Sequence, residues 1–113
     1  MDSILLTVKK ALGVEKDFDG FDTEIIFGIN TAFMSLNQIG VGPEGGFSIT
    51  DETPLWSDYI GTATDIEGVK TFVVLKTRLA FDPPTVSYLV DSISRQISEL
   101  EWRLRLQVEP PLV

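Results

Sequence analysis

The chain contains no cysteine and no histidine among its 113 residues. The lack of cysteine excludes disulfides and thiolate chemistry and fits a reducing compartment. The lack of histidine excludes imidazole acid–base catalysis and imidazole metal ligation. Together the two absences remove the usual ligands of a zinc site. Long hydrophobic runs are missing as well. No stretch approaches the roughly 18 apolar residues of a membrane-spanning helix, so no contact with a membrane is expected. Met1 to Leu6 lack the basic start and small-residue cleavage site of a secretory leader. Basic side chains are scarce, with 9 Lys and Arg against 17 Asp and Glu, a formal net charge of −8. That balance opposes general nucleic-acid binding, which depends on cationic contacts to phosphate.

What remains is an ordinary globular composition, 43% hydrophobic, at a length that suggests one domain over residues 1–113. The charge is unevenly spread. Residues 1–67 carry twelve acids and three lysines, whereas residues 68–113 carry five acids and six basic side chains. Either the acidic half keeps the protein soluble, or the two halves meet different neighbours, including each other in an oligomer.

Apolar spacing predicts a mainly α fold, a small bundle of about four helices. Ser3 to Leu12 reads as a short helix with Ile4, Leu5, Val8 and Leu12 on one side and Gly13 at its end. After an acidic turn, Asp22 is placed as the cap of a second helix, with Phe21 and Ile26 as a hydrophobic staple. Its buried stripe is Ile25, Ile29, Phe33, Leu36 and Ile39, and Gly40 stops it. Residues 40–54 read as a flexible, Gly-rich loop or arm, in which Phe47 to Thr50 alternate as a short β segment would. Thr53 and Pro54 suit the cap and first position of a short helix from Leu55 to Ile60. Thr64 to Glu67 form a capping box for a third long helix. Its β-branched run, Val69 to Thr77, also allows a strand, but the cap and the following Asp-Pro-Pro turn favour helix. The last helix is expected from Pro83 to Val108, capped by Asp82 and about 39 Å long. Its seam is Val86, Val90, Ile93, Ile97, Leu100 and Leu104. Residues 109–113 form an extended tail that Pro110 and Pro111 keep out of the helix, with Leu112 and Val113 as an apolar tip.

No catalytic set emerges. The hydroxyls lack their usual base partner. Gly40, Gly42 and Gly45 superficially resemble a phosphate loop, but they follow a helix, no Gly-Lys-Ser/Thr succeeds them, and Glu44 would repel phosphate. Asp17, Asp19, Asp22 and Glu24 match calcium ligands in type but not in the spacing of a calcium loop, and capping plus solvation explain them. No metal or cofactor is expected. Trp56 and Tyr59 are expected to pin the middle loop to the core. Trp102 and Leu106 lie off the seam of the last helix, one turn apart, with Arg95 on the same side. Either Trp102 covers the chain's own loops or it marks a second packing surface. Arg95, Arg103 and Arg105 then suit pairing with the acidic half of another copy. Phe47, Ile49, Leu112 and Val113 are the other candidate contacts.

The segments Leu5–Val14 and Val69–Pro84, running into Ile97–Leu104, resemble the head–tail connector (adaptor) proteins of long-tailed bacteriophages. Phe81-Asp82-Pro83-Pro84 and Glu99-Leu100-Glu101-Trp102-Arg103-Leu104 are the most distinctive parts. The resemblance implies a non-enzymatic helical protein of the virion neck, made in the host cytoplasm. It implies a homo-oligomeric ring of about twelve copies beneath the portal protein. Such a ring would extend the DNA channel without specific binding and meet the next neck or tail-completion protein. Asp17, Asp19 and Glu24 then face the channel or meet Arg103 or Arg105 of the next subunit. The residues by themselves also fit a small soluble interaction or regulatory module acting as a monomer or dimer.

Overall fold

Ser3 opens the first helix as its position predicts. Its hydroxyl accepts from the Leu6 N–H at 3.3 Å and donates to the Glu52 carbonyl at 2.7 Å. Helix α1 runs Ile4–Leu12 and ends at Gly13, in the left-handed conformation that suits a helix C-terminus. The computed structural model describes residues 2–60 and 66–108, with Ile60 and Val108 described by their backbone alone. The remaining helices are α2 (Asp22–Gln38), α3 (Trp56–Ile60), α4 (Ile66–Phe81) and α5 (Ser87–Val108). Thr64 and Asp65 of the expected capping box, and the tail from residue 109, lie outside the described residues.

The core forms around α2 and α4, which run antiparallel and pack most extensively on each other. Ile25, Ile29, Phe33 and Leu36 of α2 are buried against Val69, Phe72 and Val73 of α4. The β-branched stretch of α4 is helical, as its flanks predict. Helix α1 packs on both. Helix α5 folds back chiefly on α4, so that Thr71 near the start of α4 shares a surface recess with Gln96, Leu100 and Arg103 of α5.

Several expected boundaries move. Helix α5 begins at Ser87, not Pro83, and its 22 residues span about 33 Å. The reason lies in the paired prolines. A residue before proline is driven out of the α region, and Pro83 is itself such a residue. The Asp82 N–H instead donates to the Arg78 carbonyl at 2.8 Å and closes α4. The seam consequently starts later. Val86 is exposed, Val90 and Leu100 are half-buried, and Ile93, Ile97 and Leu104 are buried.

Asp22 is the first residue of α2 rather than its cap, and Phe21 takes the cap position with no side-chain bond. Asp22 is drawn to Lys9, whose Nζ lies 2.8 Å from its Oδ1. Phe21 turns toward Phe18 and Phe81, each edge-on with ring centres 5.2 Å apart. Pro54 is likewise not a helical residue. Its carbonyl accepts from the Ile4 N–H at 3.1 Å, and the Trp56 N–H donates to the Asp2 carbonyl at 3.1 Å. The segment thus pairs with the chain start in an isolated antiparallel bridge between Ser3 and Leu55. Thr53 bonds back to Asp51, and Asp58 accepts the Leu55 N–H at 2.8 Å as the local cap of α3.

The middle segment is anchored to the core. Phe47 to Thr50 form no strand. Asn30 of α2 clasps Ile49 twice, accepting its N–H at 2.8 Å and donating to its carbonyl at 2.9 Å. Phe33 is surrounded by the rings of Phe47, Trp56 and Tyr59. Trp56 and Tyr59 pin the loop as their type and position predict, the Trp56 indole donating to Thr7 Oγ1 at 3.1 Å. Gly42 permits the close approach of Tyr59, since a side chain there would place a Cβ 2.5 Å from its hydroxyl.

Burial pushes the Tyr59 hydroxyl up to about 12 from an ordinary value near 10. The folded chain therefore keeps this proton where the unfolded chain releases it. The stabilisation is fully present below pH 10 and is lost as pH rises through about 12. Melting temperature followed across that window should fall more steeply for the native chain than for Tyr59→Phe. The substitution itself costs little at neutral pH, because the hydroxyl reaches the Val41 carbonyl only at 3.4 Å. Parallel curves would exclude Tyr59 from the alkaline transition.

Candidate interaction surfaces

Helix α5 presents Trp102, 59% exposed, and Leu106, 49% exposed, on the side away from α4. They are spaced one turn apart on a helix whose seam is already filled by Ile93, Ile97 and Leu104, and among the described residues they stand in solvent. Arg95 is exposed. Arg103 reaches Glu99 at 2.8 Å and Arg105 reaches Glu101 at 3.8 Å, each one turn back along α5. These pairs are solvent-exposed and contribute only about 0.3–0.5 kcal/mol each. They order the arginines beside Trp102 without binding them firmly.

The other candidates are distributed differently. Phe47 is half-buried between Phe33 and Tyr59, and Ile49 is buried in the chain's own core. Leu112 and Val113 lie outside the described residues. Asp17, Asp19 and Glu24 are all exposed around the turn that precedes α2 and the first turn of α2. The structure therefore brings Trp102, Leu106 and Arg95 onto one side of α5 with Arg103 and Arg105 on its two flanks, and leaves the three acids exposed around the start of α2.

A second apolar surface was not anticipated from the sequence. Phe21, Thr23, Glu24 and Phe27 from the start of α2, with Ala80 and Phe81 from the end of α4, line an open groove of about 640 Å³. Phe27 is 74% exposed, and Phe18 stands beside Phe21. A signal for it existed. Phe27 falls off the stripe of Ile25, Ile29, Phe33 and Leu36 in the same way that Trp102 falls off its own seam. The turn is held in place from beneath by Lys9, whose Nζ donates to the Phe18 carbonyl at 2.6 Å and the Lys16 carbonyl at 3.2 Å.

Among the described residues, no group of three or more carboxylates is placed to hold a metal ion, and no helix is long and apolar enough to cross a membrane. The chain is a small helical protein with two exposed apolar surfaces. A family model described as phage connector protein matches residues 4–111. The chain belongs to the phage connector protein family, a family of structural proteins. No curated protein and no solved structure matches it.

Proposed function

We propose that the protein is a head–tail adaptor. Copies assemble as a ring beneath the portal, extend the channel through which DNA passes, and offer a surface to the next neck or tail protein. The observation that carries this reading is the family match over nearly the whole chain. It is supported by the fold, in which a large aromatic and two arginines stand in solvent on the longest helix, the composition typical of an interface anchor. A net charge of −8 suits a conduit that DNA passes without sticking. Residues 109–113 would serve as a docking arm for a neighbouring chain. Cryo-electron microscopy of purified virions tests the reading. The expected result is density for this chain encircling the channel directly below the portal. A complete neck built without this chain would overturn it.

A further inference from the structure

The two exposed apolar surfaces differ in charge. The groove of Phe21, Phe27 and Phe81 is lined by Glu24, and the exposed charges near its rings in sequence are Asp17, Asp19 and Asp82, which outnumber Lys16 and Arg78. The Trp102 and Leu106 face is bordered by Arg95, Arg103 and Arg105, which outnumber Glu99 and Glu101. Pairing two grooves would bring the acids of both copies together, and pairing two Trp102 faces would do the same with arginines. Like charges brought face to face oppose association. A groove meeting a Trp102 face joins opposite signs instead.

The two surfaces also cannot meet within one chain. Because α4 and α5 run antiparallel, Trp102 lies level with the first turns of α4, whereas Phe81 lies at its far end, about 20 Å along the hairpin. We propose that the occupant of the groove is a second copy of this chain, seated by Trp102 and Leu106, with Arg103 or Arg105 released from its own helix to meet Glu24. Each copy then uses one surface to receive and the other to insert. Such head-to-tail contacts close into a ring or run on as a filament. Of the two placements for the acids, this one puts Glu24 at the contact between copies and not at the channel. The inference rests on the adaptor reading for the closure of the ring, but the contact itself can be tested separately.

The absence of native cysteine makes the test clean. One chain carries Thr23→Cys at the groove and a second, mass-tagged chain carries Leu106→Cys. The two are mixed and oxidised, in solution and after incorporation into particles. The mixed adduct should dominate over both homodimers. Adding Trp102→Ala to the Leu106→Cys chain should lower its yield at least about tenfold while leaving the melting curve intact. Glu24→Arg should lower it as well, and Arg103→Glu together with Arg105→Glu on the other chain should restore it. Homodimers in excess, or no mixed adduct in either setting, would overturn the contact. A mixed adduct from a chain that virions do not contain would overturn only the adaptor reading. A chain found in the neck but giving no mixed adduct would overturn only the contact.

Discussion

Lys9→Met should cost about 3 kcal/mol of folding stability, more than any change of a surface charge. Lys9 sits in the middle of α1 at 1% exposure, which is rare for a lysine. Its ammonium group donates to two turn carbonyls, Phe18 at 2.6 Å and Lys16 at 3.2 Å, and stands 2.8 Å from Asp22 Oδ1. The contact with Asp22 is an ion pair set off the ideal hydrogen-bond direction. Methionine has a similar length and apolar stem but no donor. It would leave one carboxylate and two carbonyls facing a buried thioether. A buried ion pair broken on one side typically costs about 3–5 kcal/mol. The Asp22 side chain is 28% exposed and can keep some water, which places the expected loss at the low end. Denaturant titration measures it as a lower midpoint with an unchanged slope. A loss under about 1 kcal/mol would mean that the turn does not depend on Lys9. The same variant should also weaken the mixed adduct, because Lys9 fixes the turn that carries Phe18 and Phe21 to the edge of the groove.

This residue also marks the limit of what the sequence discloses. All five helices were readable in outline, because their signals are local or their burial repeats at helical spacing. Ser3 caps α1, the α2 stripe is buried at four of its five positions and half-buried at Ile39, and Ile93, Ile97 and Leu104 face inward on α5. The exposure of Trp102 and Leu106 was readable for the complementary reason, since both fall off the seam that Ile93, Ile97 and Leu104 fill. Lys9 was not readable. A lysine in a helix normally points to water, and its acceptors are supplied by a turn that local patterns do not position. The clasp of Asn30 on Ile49 spans 19 residues and has no local signature. The pairing of Asp2 and Ile4 with Trp56 and Pro54 is equally non-local, and it overrode a cap-and-proline pattern that was sound on local grounds. The start of α5 was a different kind of error. The chain there obeyed a local rule, the restriction before proline, that outweighed the favourable position of proline in a first helical turn.

Gly28→Leu is expected to cost about 3 kcal/mol, the upper part of the range for overpacking a filled core. A glycine in the interior of a helix gives up about 1 kcal/mol relative to alanine. In α2 its use is spatial. A Cβ at Gly28 would lie 3.0 Å from the Thr77 methyl and 3.4 Å from the Thr77 Cα, so the bare backbone lets α2 and α4 approach closely. Alanine here should come out near neutral, its better helix propensity offset by that tight contact. Leucine finds no such balance and must push the helices apart. Thr77 supplies the complementary probe, since its hydroxyl is buried with no hydrogen-bond partner among the described residues. Thr77→Val keeps the methyl, removes that hydroxyl and should gain up to about 1 kcal/mol. Thr77→Ala removes the methyl that meets Gly28, so Gly28→Ala should become stabilising by up to about 1 kcal/mol in that background. A double-mutant cycle reads this directly as coupling between the two sites. Strict additivity would show that the helices do not touch there. The spacing matters beyond stability, because Phe27 adjoins Gly28 and Phe81 lies one turn after Thr77. Those two rings form opposite walls of the groove, and helices forced apart by Gly28→Leu should lose the mixed adduct along with the melting temperature. Gly28→Ala in the Thr77→Ala background should keep both.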